Sequence, residues 1–146
     1  MKNIYLAVIL ALAWAANSCL AKKYTRCSFI REMSSLGVPK DDLARWACIA
    51  RHESSFDTTV IKAQNSPKDS QDYGVFQIND KYWCKPSSGH FSYNMCKVSC
   101  NDLLSDDINA SMTCALKVLG QQGWSAWPSL SECEGDLPYI KRKCLS

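Results

Sequence analysis

The chain has 146 residues, a net charge of +3, and 47% hydrophobic against 21% charged residues. This length is typical of one domain, and the composition excludes a largely disordered chain. The 17 lysines and arginines nearly balance the 14 acidic residues and are scattered, which excludes a dedicated nucleic-acid-binding protein. Nine cysteines are many for this length and indicate either an oxidising compartment or a metal site.

The first 21 residues have the pattern of a secretory signal peptide. Lys2 precedes thirteen consecutive apolar residues, Ile4 to Ala16, and small residues stand at positions 19 and 21. A membrane-spanning helix needs about 20 apolar residues, so this run predicts a cleaved signal rather than an anchor. No second apolar run of that length follows. We therefore expect cleavage before Lys22, an extracellular protein with a net charge of +2, and no membrane anchor.

Cleavage would also remove Cys19 and leave an even number of cysteines. Structural zinc sites use cysteine pairs two to four residues apart, often together with histidine. Only Cys96 and Cys100 approach that spacing, and both histidines lie away from them. The sequence therefore favours disulfides, with no metal and no cofactor, and leaves the pairing open. The cysteines concerned are Cys27, Cys48, Cys84, Cys96, Cys100, Cys114, Cys133 and Cys144.

Two helices are predicted at the start of the mature chain. Thr25 suits the N-cap of the first helix, and Gly37 suits the position beyond its end. Pro39 opens the second helix, whose apolar stripe includes Trp46. At 100° per residue Glu53 falls at the edge of that stripe, where an apolar surface favours the neutral form of a carboxyl. The apolar face of the first helix is Phe29, Ile30, Met33 and Leu36.

The middle of the chain has a different pattern. Residues 57–72 are rich in polar side chains and predict short strands and loops, and residues 84–101 are typical of a loop. The segment from Tyr73 to Ile78 predicts a strand that ends at a turn formed by Asn79 and Asp80. Helical periodicity then runs from Ile108 and stops at Gly120. This order predicts an α+β domain with one core and a cleft between two lobes.

Four stretches in order along the mature chain resemble the C-type (chicken-type) lysozymes, and most closely the insect members. They are residues 51–56 (RHESSF), 72–79 (DYGVFQIN), 82–84 (YWC) and 125–127 (SAW), joined by the cysteine spacing from Cys84 to Cys114. Two departures are that Tyr82 stands where vertebrate members often carry tryptophan, and that residues 128–130 (PSL) replace a tryptophan-rich position.

The resemblance implies a lysozyme-like α+β fold over residues 22–146. A helical lobe would comprise about 22–57 and 107–146, and a β-rich lobe about 58–106, with a cleft between them. The implied disulfides are Cys27–Cys144, Cys48–Cys133, Cys84–Cys100 and Cys96–Cys114.

The resemblance also implies an activity. We expect a secreted monomer that hydrolyses the β-1,4 bond between N-acetylmuramic acid and N-acetylglucosamine in bacterial peptidoglycan or a related N-acetylglucosamine polysaccharide. The role would be antibacterial defence or digestion of bacteria. Glu53 would be the general acid, and Asp72, set among polar residues, would stay ionised and give retention. The implied substrate-binding residues are Gln77, Asn79, Tyr82, Trp83, Val118, Ala126 and Trp127.

Other interpretations remain open at this point. A non-catalytic relative that binds carbohydrate or regulates a partner is the alternative, and such relatives have commonly lost one or both carboxyls. Asn101, Asp106 and Asp107 resemble the calcium loop of α-lactalbumin, but a helix start favoured by acidic residues is the preferred interpretation. Asn109 begins a formal glycosylation sequon, and His52 is interpreted as structural.

Overall fold

The computed structural model describes residues 23–64 and 69–145. The predicted signal peptide and its cleavage site before Lys22 lie outside these residues. Within the described ranges, no helix is both long enough and apolar enough to cross a membrane.

Three α-helices frame the larger lobe: α1 (Arg26–Ser35), α2 (Lys40–Ser54) and α3 (Asn109–Gln122). The predicted N-cap is confirmed, because the Thr25 side chain accepts a hydrogen bond from the Ser28 backbone N–H and the Ser28 side chain reciprocates. This reciprocal capping satisfies donors that the first helical turn leaves free. Short 3-10 helices cover Cys100–Leu104, Trp124–Ala126, Pro128–Cys133 and Arg142–Cys144.

The smaller lobe carries a three-stranded antiparallel sheet. Its strands are β1 (Ile61–Ala63), β2 (Gln71–Tyr73) and β3 (Ile78–Asn79), in that spatial order. Lys62 pairs with Asp72, and Asp72 pairs with Asn79. Residues directly opposite each other on neighbouring strands share a face, so these three side chains form one row across the sheet.

The predicted continuous strand from Tyr73 to Ile78 is wrong. Residues 74–77 form the turn between β2 and β3, and Asn79 belongs to β3 rather than to a turn. Gly74 adopts φ +75°, and a Cβ there would lie 2.1 Å from the Leu103 carbonyl oxygen. The apolar residues of this segment, Val75 and Phe76, are fully buried in the core of the helical lobe. Their hydrophobicity therefore reflects packing of the turn rather than strand pairing.

The predicted end of the third helix at Gly120 is also wrong. α3 continues through Gly120 to Gln122 and ends at Gly123, where φ is +70°. A helical glycine costs about 0.5–1 kcal/mol relative to alanine, which the packing of a long helix can offset. The buried face of α3, which includes Met112, Ala115 and Val118, provides that packing.

All four disulfides expected from the resemblance are present. Cys27–Cys144 and Cys48–Cys133 join positions 117 and 85 residues apart, and they tie two C-terminal 3-10 helices to α1 and α2. Cys84–Cys100 and Cys96–Cys114 close shorter loops and secure the region after the sheet. In the chain-entropy description each bridge contributes about 2–4 kcal/mol. The α+β lysozyme-like fold expected from the resemblance is thus confirmed.

The close approach at Gly74 generates a prediction with a matched control. Gly74→Ala should destabilise the protein by at least about 3 kcal/mol, because alanine must adopt a positive φ and must also displace the Leu103 backbone. Gly89→Ala also places alanine at a positive φ, of +78°, but in open space, and should cost only about 1–2 kcal/mol. Denaturant unfolding of both variants measures the difference. Equal losses would show that the turn can move away from Leu103.

Candidate functional site

A groove of about 350 Å³ lies between the end of α2, the sheet and α3. All nine residues named from the sequence as catalytic or substrate-binding line it: Glu53, Asp72, Gln77, Asn79, Tyr82, Trp83, Val118, Ala126 and Trp127. Five further lining residues were not identified from the sequence: Lys62, Gln64, Ile78, Gln122 and Pro128.

Glu53 lies in the last turn of α2, on the helical side of the groove. Its carboxyl atom Oε1 accepts a hydrogen bond of 2.6 Å from the Ser129 hydroxyl. Its backbone carbonyl accepts a hydrogen bond from the Lys62 amine of β1. Both the side chain and the main chain of Glu53 are therefore held by residues outside α2.

Asp72 lies on the central strand at the opposite wall, and only 9% of its surface is exposed. The Asn79 amide donates to Oδ1 at 2.8 Å, and the Gln64 amide donates to Oδ2. Each carboxylate oxygen thus has its own amide donor. This pair of donors fixes the orientation of the carboxyl group within the row formed across the sheet.

Burial raises the pKa of Asp72 above its usual value. The hydrogen bonds from Asn79 and Gln64 act in the opposite direction, and the negative charges of Glu53 and Asp80 add to the upward shift. The amide hydrogen bonds thus favour the ionised carboxylate, as the sequence led us to expect, but desolvation outweighs them and the pKa is raised overall.

Two backbone carbonyls of the β2–β3 turn connect the catalytic candidates to the helical lobe. The buried Ser54 hydroxyl, next to Glu53, lies 2.9 Å from the Val75 carbonyl oxygen and donates to it. The Trp127 indole N–H donates to the Phe76 carbonyl at 3.0 Å. Because this turn joins β2 to β3, these bonds hold the strand of Asp72 against the helix of Glu53.

The aromatic residues of the groove differ in exposure. Trp83 and Trp127 are buried, and Trp127 packs edge-on against Trp46 with ring centroids 5.0 Å apart. Tyr82 is 42% exposed and presents an accessible ring. The tryptophans therefore form fixed apolar walls, whereas Tyr82 forms an open surface at the groove margin.

The polar residues Gln77 and Asn79 have structural contacts as well as positions on the groove. The Gln77 amide N–H₂ donates to the carbonyls of Val60 and Gly74 and so braces the turn. Its Oε1 is buried and accepts no hydrogen bond from the described residues.

The acidic segment before α3 acts at the start of that helix. Asp107 Oδ1 accepts a hydrogen bond from the Asn109 backbone N–H at 2.8 Å. The carbonyl of Asp106 accepts one from the Tyr24 hydroxyl, and the backbone N–H of Asn101 donates to Ser99. The Asp107 carboxylate thus accepts a hydrogen bond from the backbone N–H of the first residue of α3.

The sequon and His52 occupy positions away from the groove. Asn109 is the first residue of α3, and Ser111 is buried with its hydroxyl donating to the Leu103 carbonyl. His52 lies close to the sulfurs of Cys48 and Cys133, but both are joined in a disulfide and are not available as thiolate ligands.

Comparison with known proteins finds one family whose members match most of this chain. A model of the C-type lysozyme/alpha-lactalbumin family matches residues 22–144. "Lysozyme B" of Drosophila melanogaster is 60% identical over 133 residues, which cover 91% of this chain and 94% of the relative. "Lysozyme 1" of Musca domestica is 53% identical over 138 residues, which cover 94% of this chain and 96% of the relative.

Solved structures of similar proteins support the same assignment. A crystal structure of canine milk lysozyme superposes with a TM-score of 0.73 at 38% identity, covering 80% of this chain and 93% of that chain. A lysozyme from Litopenaeus vannamei gives a TM-score of 0.71 at 37% identity, covering 80% of this chain and 91% of that chain.

The raised pKa of Asp72 predicts a pH-dependent effect on stability. At pH values below its usual range, Asp72 is protonated in both the folded and the unfolded chain. As the pH rises through the raised pKa, the folded chain must carry a buried charge and loses stability. Asp72→Asn stays neutral, so its stability relative to the parent should rise as the pH increases from the ordinary pKa of an aspartate through the raised pKa of Asp72.

Denaturant unfolding of the parent and the variant at a series of pH values measures this difference. The same substitution at the exposed Asp136 corrects for the loss of one negative charge. A stability difference that shrinks as the pH rises would contradict the upward shift of the Asp72 pKa.

Proposed function

Since the chain belongs to the C-type lysozyme/alpha-lactalbumin family and has the activity of a lysozyme, which is a glycoside hydrolase, we propose which bond it cuts and which residues perform the reaction. The substrate is bacterial peptidoglycan, cut at the β-1,4 bond between N-acetylmuramic acid and N-acetylglucosamine. The observation that carries the proposal is that Glu53 and Asp72 both line one groove from opposite lobes. A non-catalytic relative would have no need to retain both carboxyls.

Glu53 is the general acid in this proposal. It protonates the glycosidic oxygen as the bond to the sugar ring breaks, so that the leaving group departs as a neutral alcohol. Because Ser129 donates to Oε1, the acidic proton resides on Oε2. The buried indole of Trp127 lines the same groove and supplies an apolar wall beside the reacting bond.

Asp72 stabilises the positive charge that develops on the sugar ring. Its two oxygens are oriented by Asn79 and Gln64, so the negative charge is in place before the bond breaks. Asp72 forms a covalent or close ion-paired intermediate on the face opposite the leaving group. The ionised Glu53 then removes a proton from water, which attacks the same face that the leaving group left, and the configuration is retained.

The remaining groove residues bind the polysaccharide. Trp83 and Trp127 provide walls for the apolar faces of sugar rings, and Tyr82 provides an exposed ring for stacking. Gln77 lines the groove and holds the turn under it through its amide hydrogen bonds to the carbonyls of Val60 and Gly74. Val118 and the backbone of Ala126 complete the wall on the α3 side.

Secretion is part of the proposal and follows from the signal-like segment before Lys22 and from the four disulfides. The mature protein acts as an extracellular monomer in antibacterial defence or in digestion of bacteria.

Mass measurement of the protein recovered from the medium of an expressing cell should give an N-terminus at Lys22. It should also show no free thiol. An intact Met1 or a titratable thiol in the native protein would contradict secretion through this route.

Substitution of Glu53 tests the proposed reaction. Glu53→Gln keeps the size and accepts the Ser129 hydrogen bond but has no proton to deliver, so turbidity clearing of a bacterial cell-wall suspension should fall by at least about 10²-fold. Asp72→Asn should also lose most of the activity, because the charge facing the cationic sugar is gone. Retained binding of an N-acetylglucosamine trisaccharide shows that the groove is intact.

Glu134→Gln is the matched control, since Glu134 is exposed and lies outside the groove. It should clear cell walls at the parent rate. Near-parent clearing by Glu53→Gln would remove Glu53 from the role of acid. Absence of clearing by the parent itself, with binding of the trisaccharide, would favour the non-catalytic carbohydrate-binding alternative.

A further inference from the structure

Three exposed aromatic side chains form a cluster that begins at the groove and continues beyond it. Tyr82 lines the groove and is 42% exposed, whereas Tyr93 and Phe91 lie outside the groove and are 61% and 73% exposed. Large aromatic rings that are this exposed and that contact one another indicate a ligand-binding or partner-binding surface.

The rings of Tyr82 and Tyr93 are almost parallel. Their planes differ by 3°, and their centroids lie 5.9 Å apart. Phe91 meets Tyr93 edge-on, with an interplanar angle of 80° and a centroid distance of 5.0 Å. The Tyr93 ring is therefore stacked parallel to the Tyr82 ring, so the aromatic cluster that starts with Tyr82 at the groove continues to Tyr93, and Phe91 packs against Tyr93 in a T-shaped arrangement.

The backbone under this cluster is fixed. The Tyr93 N–H donates to the Lys81 carbonyl at 2.9 Å, and the Met95 N–H donates to the Tyr82 carbonyl at 3.0 Å. The Ser92 hydroxyl lies within hydrogen-bond distance of the carbonyls of Asp80 and Cys84. The segment that carries Tyr93 is therefore tied along the segment that carries Tyr82, and the aromatic surface is preorganised before any ligand arrives.

We propose that Tyr93, supported by Phe91, extends the glycan-binding surface past Tyr82, so that a polysaccharide chain leaving the groove stacks on the Tyr93 ring. The ligand is a β-1,4-linked polymer of N-acetylated hexosamines, the same chain that the groove holds, and the proposal rests on the proposed function. Continuity through Tyr82 identifies this occupant, because Tyr82 both lines the groove and stacks on Tyr93. A chain too short to leave the groove does not reach Tyr93.

The test compares a short and a long ligand in the inactive Glu53→Gln protein, which prevents hydrolysis during the measurement. The probes are the N-acetylglucosamine trisaccharide and a soluble glycol chitin polymer. In Tyr93→Ala the ratio of polymer affinity to trisaccharide affinity should fall about five- to tenfold, the scale expected for losing one stacked ring. Phe91→Ala should reduce the ratio less, and Tyr93→Phe should restore it because it keeps the ring.

Tyr139→Ala is the control, since Tyr139 is 81% exposed and lies outside the groove and the cluster. It should keep the parent ratio. An unchanged ratio in Tyr93→Ala would overturn the extension, and so would an equal loss for both ligands, because Tyr93 would then only hold Tyr82 in place. Failure of the Glu53→Gln protein to bind either ligand would instead count against the proposed function.

Discussion

The turn between β2 and β3 packs into the helical lobe, and the geometry of the groove depends on that contact. Gly74 lies against the Leu103 carbonyl. The ring centroid of Phe76 lies 5.1 Å from that of Trp46 and 5.8 Å from that of Phe29. The turn also accepts hydrogen bonds from Ser54 and Trp127, so buried polar groups on both lobes are satisfied by the contact. A sheet of strands two or three residues long has little stability of its own, and the helical core provides it.

This contact explains how two carboxyls from distant parts of the chain meet in different settings. Glu53 lies in the last turn of a helix whose buried face includes Trp46, and its carboxyl group accepts a hydrogen bond from the Ser129 hydroxyl. Asp72 lies in a strand with an amide donor on each oxygen. Burial works against the charge of Asp72, and the two amides work in favour of it. In the proposed reaction, Asp72 is the position that needs a fixed negative group.

Features encoded locally could be predicted from the sequence, whereas those that depend on packing could not. The Thr25 cap and the apolar stripe of α2 follow from residue type and helical spacing. The resemblance supplied the disulfide pairs and the groove residues. Gly74 to Gln77 was misinterpreted as strand because a buried turn and a buried strand have the same apolar composition.

Long-range partners left no signal in the sequence. Ser129, which lies 76 residues from Glu53, occupies the segment that departs from the family pattern, and nothing in its local sequence indicates a contact with the acid. Gln64 is equally inconspicuous, since its amide reaches Asp72 only through the pairing of β1 with β2.

In the proposed reaction, the packed turn places Asp72 close enough to Glu53 to act directly on the sugar. A retaining glycosidase has its carboxyls about 5–5.5 Å apart, whereas a separation of about 6.5–9.5 Å admits a water molecule and inverts the configuration. NMR of the first-formed product, recorded early in hydrolysis of a defined β-linked N-acetylglucosamine oligosaccharide, reports which arrangement operates. We expect the β-anomer as the initial product. An initial α-anomer would show that water attacks directly and would contradict the role of Asp72.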